Sequence, residues 1–142
     1  MTTVDTSVAV AGFASWHQDH EVALKALSAG VRLTGHVALE TYAVLTRLPP
    51  PHRAPADLVE EFLRRNFAAP LLVLSARNHR RLLATLSAAG ITGGATYDAL
   101  VAATAFRAGE TLITLDQRAL PTYELVGATV RLLPTQPKKG QR

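Results

Sequence analysis

Short apolar segments alternate along this chain with longer segments whose apolar residues recur at helical spacing. Strands are predicted at residues 2–4, 31–34, 71–74, 111–114 and 129–133. Helices are predicted between them, at residues 19–27, 37–48, 57–67, 75–89, 96–107 and 117–126. Strands that alternate with helices pair in parallel through right-handed crossovers. The alternation therefore predicts an α/β fold, a three-layer sandwich with a central parallel sheet of four or five strands.

Two of these segments carry specific expectations about burial. Residues 71–74 are continuously apolar, which is typical of a strand that is buried on both faces. In the helix at residues 57–67, the spacing predicts that Leu58, Phe62 and Leu63 face the core.

The composition indicates one folded domain. Of the 142 residues, 48% are hydrophobic and none is cysteine. The apolar share excludes a disordered chain, and the lack of cysteine excludes a disulfide scaffold, a thiolate nucleophile and zinc sites with sulfur ligands. No apolar run approaches the ~20 residues of a membrane helix, and the first residues do not resemble a secretory signal. We therefore expect a cytoplasmic domain at residues 1–134 and a disordered basic tail at residues 135–142.

The charge is mildly basic, since 15 lysines and arginines face 11 acidic residues for a net charge of +4. This balance permits nucleic-acid binding without establishing it. Two basic clusters could attract RNA, or could be ordinary solvated surface: Arg77, Arg80 and Arg81, and Lys138, Lys139 and Arg142 in the tail.

Four acidic residues occupy positions where carboxylates need an explanation. Asp5 and Asp116 each follow a predicted strand, so both are expected at the edge of the sheet where ligands bind, although each could also be a helix N-cap. Glu40 falls on the apolar stripe of its helix, which is costly unless it meets a cation or a donor. Asp98 lies early in a helix that is apolar on nearly every side, where the helix dipole also favours an acid.

Together these four carboxylates predict a metal site. Oxygen-only ligands suit Mg²⁺ or Mn²⁺, and like charges crowd together only with a cation or with raised pKa values. A divalent ion can bind a phosphate oxygen and activate a water, so the natural reaction is hydrolysis of a phosphodiester bond.

Four segments resemble the PIN-domain ribonucleases, and more narrowly the VapC toxins of bacterial VapBC toxin–antitoxin pairs. They are residues 4–8 (VDTSV), 39–42 (LETY), 97–105 (YDALVAATA) and 109–116 (GETLITLD), the last two being the most specific. The resemblance extends over residues 3–133, nearly the whole chain.

The resemblance implies a Mg²⁺- or Mn²⁺-dependent endoribonuclease. Its metal-binding and catalytic acids would be Asp5, Glu40, Asp98 and Asp116. Ser7 and Thr114 match hydroxyl positions beside the first and last acid, where they would hold a ligating carboxylate or a water. Such toxins typically cut tRNA or ribosomal RNA and commonly form homodimers. A cognate VapB antitoxin inhibits them by covering the active-site groove with its C-terminal segment.

The sequence departs from that family pattern just after the fourth acid. Many relatives carry a further acid there, whereas Gln117, Arg118 and Ala119 follow Asp116 in this chain. One tightly bound metal is therefore expected rather than two. Arg118 would contact an RNA phosphate or remain a surface arginine.

The histidines and the tryptophan have ordinary explanations. His17 and His20 are three residues apart, but no third ligand lies nearby, so a zinc site is not expected. We expect a structural or hydrogen-bonding role for His36. Core packing is expected for Trp16, with contact to a base or an antitoxin as the alternative.

Two other functions compete with the nuclease. The first is a PIN-like module that binds RNA or protein without turnover, although such modules usually lose an acid. The second is a phosphatase or phosphoacceptor domain with Asp5 as the nucleophile. That class expects a second acid where Ser7 stands and a basic residue near Thr114, where there is none.

Overall fold

The computed structural model describes residues 1–135, so the predicted tail at residues 135–142 lies outside the described residues except for its first position. The elements in chain order are β1 (Thr2–Val4), α1 (Thr6–Phe13), α2 (His20–Ser28), α3 (Gly35–Arg47), α4 (Ala56–Asn66), α5 (Ala76–Ala89), α6 (Ala95–Ala108), β2 (Thr111–Thr114), α7 (Leu120–Val126) and β3 (Val130–Leu132). A short 3₁₀ turn, Gln117–Ala119, precedes α7. None of the described helices is long and apolar enough to cross a membrane.

The sheet is parallel, with β2 between β1 and β3. Val4 lies opposite Ile113 on one side of β2, and Ile113 lies opposite Arg131 on the other. Both α1 and α6 contact β2. The predicted α/β fold with parallel pairing is therefore confirmed.

The expected strand count was too high, since the described residues form three strands rather than four or five. The segment at residues 31–34 forms only single bridges, Thr3 to Arg32 and Thr34 to Leu72. Thr34 is already the N-cap of α3, where its hydroxyl accepts a hydrogen bond from the Val37 N–H. The helix therefore begins before this segment can extend its pairing.

The prediction for residues 71–74 was also wrong. Leu72 and Leu74 are buried, but Val73 is 77% exposed, so this segment has one buried face rather than two. Ser75 then caps α5 and ends the extended stretch. In α4 the buried residue is Val59, whereas Leu58, predicted to face the core, is half-exposed.

Small residues bring α6 close to the sheet. Ala99, Ala102 and Ala105 are fully buried, and the last two belong to the main core with Leu112 of β2. The chain leaves α6 through Gly109, whose φ of +68° is readily adopted by glycine, and it enters β2 two residues later. Because the turn is tight, α6 runs antiparallel to β2. The first residues of α6 therefore lie at the same end as the residues that follow β2.

Candidate active site

The four predicted acids, Asp5, Glu40, Asp98 and Asp116, line one pocket, together with Thr6, Ser7, Val101 and Tyr123. Two of them reach it directly from the carboxyl ends of β1 and β2. Asp98 reaches the pocket because α6 and the chain that follows its turn cover similar lengths. It lies about 16 Å along α6 before Gly109, and Asp116 lies about 16 Å along the extended chain after Thr111, where β2 begins.

Asp5 is the most buried of the four, with 4% of its surface exposed. As the N-cap of α1 it accepts a hydrogen bond from the Val8 N–H at 3.3 Å. It also accepts hydrogen bonds from the hydroxyls of Ser7, Thr114 and Tyr123. Burial raises the pKa of Asp5 above its usual range, and these hydrogen bonds oppose the shift. The hydroxyls therefore fix both oxygens of this carboxylate in place.

Tyr123 is a member of the pocket that sequence reasoning missed. Its hydroxyl donates to Asp5 Oδ2 at 2.7 Å, and the ring is almost fully buried. Burial, followed by the charge of Asp5, raises the pKa of Tyr123, so the phenol stays protonated and remains a donor. The available signal was a tyrosine seven residues after Asp116 in an otherwise apolar helix face.

Glu40 has the hydrogen-bond donor that its position on α3 requires, and a histidine lies beside it. The Thr6 hydroxyl donates to its Oε1 atom, and His36 Nε2 lies 3.6 Å from its Oε2 atom. Thr6 was not anticipated from the sequence. Of the structural or hydrogen-bonding role expected for His36, the structure shows no hydrogen bond through Nε2. Its ring instead stacks on Tyr97.

The pKa of Asp98 shows that the acids of the pocket interact electrostatically. Burial raises its pKa to about 6, and the negative charges of Asp116, Asp5 and Glu40 add to the shift. The neighbouring His36 opposes it. The carboxylates therefore repel one another across the pocket, which is the state that a bound cation relieves.

Asp116 sits at the start of the 3₁₀ turn. Its carboxylate accepts a hydrogen bond from the Arg118 N–H at 3.0 Å, and its own N–H donates to Thr114 Oγ1 at 2.9 Å. Ser7 has a matching role, because its hydroxyl accepts from the Leu115 N–H at 3.0 Å. Arg118 lies beside the acid, with Nε 3.7 Å from Asp116 Oδ1 and a side chain that is 96% exposed.

The donor chemistry fits a hard divalent cation. Carboxylate oxygens are the ligands that Mg²⁺ and Mn²⁺ prefer. Burial and then the repulsion among the acids raise the pKa of Asp98, and a bound cation would relieve that repulsion. Within residues 1–135, no three histidine or acidic side chains are already gathered closely enough to hold an ion. The four carboxylates share a pocket, but they do not lie close enough together to form a complete coordination shell.

The remaining candidates lie away from the pocket. His17 Nδ1 accepts a hydrogen bond from the Asp19 N–H, and His20 Nδ1 pairs with the Ala11 carbonyl, so each imidazole has a local structural partner. Trp16 is 49% exposed and its ring contacts that of His52, so the expectation that it packs in the core was wrong.

The arginine cluster on α5 is not part of the pocket either. The arginines at positions 77, 80 and 81 are exposed on α5 and do not line it. The basic residues at positions 138, 139 and 142 lie outside the described residues. Any role of these clusters in RNA attraction stays a prediction.

Comparisons with known proteins give a consistent result. The family model for the PIN domain matches residues 2–124. Ribonuclease VapC40 of Mycobacterium tuberculosis, in strains CDC 1551 / Oshkosh and ATCC 25618 / H37Rv, is 50% identical over 133 residues, which cover 94% of this chain and 99% of the relative. Ribonuclease VapC27 of strain ATCC 25618 / H37Rv is 45% identical over 129 residues, which cover 89% and 93% of the two chains.

Proposed function

This chain belongs to the PIN domain family, and on that premise we propose that it is a VapC-type toxin, an endoribonuclease that hydrolyses RNA phosphodiester bonds. The observation that carries the proposal is the single pocket lined by Asp5, Glu40, Asp98 and Asp116. The 50% identity to a protein named as a VapC ribonuclease supports it over nearly the whole length of both chains.

The four acids would be the catalytic residues, and they would hold Mg²⁺ or Mn²⁺. When bound, such an ion neutralises the carboxylates, contacts a phosphate oxygen and lowers the pKa of a coordinated water. The hydroxyls around the pocket orient the acids. Ser7, Thr114 and Tyr123 hold Asp5, and Thr6 holds Glu40.

The segment after Asp116 favours one tightly bound ion. Gln117 and Arg118 stand where a further carboxylate would support a second. The exposed guanidinium of Arg118, beside Asp116, is placed to bind an RNA phosphate as it approaches the pocket.

The partners proposed are an RNA substrate, namely tRNA or ribosomal RNA in the cytoplasm, a VapB-type antitoxin and a second copy of the chain. An apolar groove supports a protein partner. It lies partly on α3, the helix that also carries Glu40. Its lining includes Leu39 and Tyr42 of α3 and Leu71, all at least partly exposed. An antitoxin segment seated there would lie next to the pocket.

Cleavage of total cellular RNA tests the function. The purified chain is incubated with Mg²⁺ or Mn²⁺, with a parallel arm in EDTA, and the fragment ends are sequenced. Discrete fragments that form only with the metal are expected, and their ends identify the RNA. Intact RNA in every arm would instead favour a module that binds without turnover.

Replacing Tyr123 by phenylalanine tests how Asp5 is held. The variant loses one buried hydrogen bond to a carboxylate, so we expect the free energy of unfolding to fall by about 1–2 kcal/mol and RNA cleavage to fall roughly tenfold. Urea unfolding and initial cleavage rates measure the two effects. Tyr42→Phe is the matched control, since Tyr42 is partly exposed and lies outside the pocket. Equal stability of the two variants would contradict the assignment.

A further inference from the structure

Tyr97 and His36 form a parallel aromatic stack beside the acidic pocket. Their ring centroids are 5.2 Å apart and their planes differ by 4°. Tyr97 is 55% exposed, whereas most of the His36 side chain is buried. The imidazole therefore covers one face of the tyrosine ring, and much of the phenol stays open to solvent.

The stack joins the two helices that carry Glu40 and Asp98. His36 lies one turn before Glu40 on α3, with Nε2 3.6 Å from its carboxylate. Tyr97 directly precedes Asp98 in the first turn of α6, so their Cα atoms are only about 3.8 Å apart. A supported aromatic surface thus lies at the margin of the acids to which an RNA phosphate would be brought.

We propose that Tyr97, backed by His36, is a stacking subsite for the nucleobase next to the cleaved phosphodiester bond. This inference rests on the proposed nuclease function. Proteins recognise unpaired RNA bases by stacking them on aromatic side chains, and every base offers a suitable face. A neutral aromatic surface also suits this position, because the adjacent acids would repel any further negative charge.

The position separates this pair from another exposed aromatic pair. Trp16 and His52 lie in contact, with centroids 4.1 Å apart and their planes tilted by 32°. Trp16 follows the C-terminal end of α1, however, whereas Asp5 caps the N-terminal end, about 12 Å away along the helix. Only the Tyr97 stack directly adjoins residues of the pocket.

The test compares Tyr97→Ala and Tyr97→Phe on a short RNA that contains one cleavage site. The same RNA is also made with a single abasic nucleotide on either side of the cleaved bond. We expect Tyr97→Ala to lower kcat/KM by about 10- to 100-fold, mainly through KM, and Tyr97→Phe to stay within about twofold of wild type. One abasic position should cost the wild type a similar factor and cost Tyr97→Ala nothing more.

Phe106→Ala is the matched control. Phe106 is 51% exposed on the same helix, eight residues after Asp98, and it does not line the pocket. Its variant should cleave both RNAs as the wild type does. Unchanged cleavage by Tyr97→Ala would overturn the subsite, even if that variant bound an antitoxin less well. An abasic penalty that persists in Tyr97→Ala would also overturn it, since Tyr97 would then act only through the structure.

Failure of the proposed function is a separate result. It would appear as no cleavage by the wild-type chain. In that case a short single-stranded RNA is made intact and with one abasic nucleotide at each position in turn, and its binding, followed by fluorescence anisotropy in EDTA, still reads the stacking contact. A loss of affinity on removing the base that disappears in Tyr97→Ala supports the subsite, and equal losses in both proteins overturn it.

Discussion

The Asp98→Asn variant is expected to lose RNA cleavage by about a hundredfold or more while keeping its fold. The amide has nearly the same size as the carboxylate, so packing in the first turn of α6 is preserved. It carries no negative charge, however, and it is a poor ligand for Mg²⁺. The variant thus removes one of the four proposed metal ligands from the pocket.

The same variant should be more stable than the wild type when no metal is present. The folded pKa of Asp98 is about 6, above its ordinary value of 3.8. A raised pKa means that this group favours folding most at low pH, and the benefit disappears as the pH rises through 6. At pH 8 we expect Asp98→Asn to gain about 1–2 kcal/mol, less than the full shift implies because the side chain is partly exposed. At pH 4 the gain should be small.

Thermal unfolding and cleavage rates together test this prediction. Mg²⁺ should raise the Tm of the wild type at pH 8 and should raise that of Asp98→Asn much less. Asp57→Asn is the matched control, because Asp57 also lies in the first turn of a helix but outside the pocket. Full cleavage by Asp98→Asn would refute the site assignment. Lower stability at pH 8 would refute the burial and the repulsion that raise its pKa.

The environment of Asp5 argues against the phosphatase alternative. A nucleophilic carboxylate needs one free oxygen that faces its substrate. Asp5 is almost fully buried, and both oxygens accept hydrogen bonds, Oδ1 from Ser7 and Oδ2 from Thr114 and Tyr123. A carboxylate held in this way has no free oxygen to turn toward phosphorus, but its negative charge still helps to hold a cation in the pocket.

The sequence predicted those parts of the pocket that depend on local chain direction. Asp5 and Asp116 follow strands, and parallel strands bring their carboxyl ends to one edge. Asp98 follows from the length of α6 before its turn into β2. The contacts of Tyr123 with Asp5 and of Thr6 with Glu40 join residues 118 and 34 positions apart. They depend on how α7 and α3 dock, which no local periodicity encodes.

The errors in the fold have the same origin. Residues 71–74 have strand composition, but they pair only through Leu72 before Ser75 begins a helix. Leu58 and Val59 are both apolar and adjacent, so spacing alone did not decide which one α4 turns inward. Trp16 is apolar by composition, yet its partner is His52 on the surface. In each case tertiary contacts overrode a sound local pattern.

Replacing Asp5 by alanine should have the opposite effect on stability from Asp98→Asn. The variant removes the N-cap of α1 and the common acceptor of Ser7, Thr114 and Tyr123. Buried hydroxyls left without partners each cost free energy, and a lost cap adds about 1 kcal/mol. The variant also removes a buried carboxylate whose raised pKa costs stability at pH 7, so the net loss is smaller than these costs together. We expect the free energy of unfolding to fall by about 1–3 kcal/mol at pH 7, and cleavage to be lost.

Two further variants make that result specific to the hydrogen-bond network. Ser7→Ala removes one donor but leaves Asp5 with the others, so it should lose only about 1 kcal/mol. If Asp5→Ala is made in the Tyr123→Phe background, its cost should shrink, because one of the hydroxyls that it would strand is already gone. Strictly additive costs would show that Tyr123 and Asp5 act independently. Urea unfolding of the wild type, Asp5→Ala, Tyr123→Phe and the double variant, at pH 7 without metal, decides between coupling and independence. Only a shared hydrogen-bond network makes the cost of Asp5→Ala smaller in the Tyr123→Phe background than in the wild type.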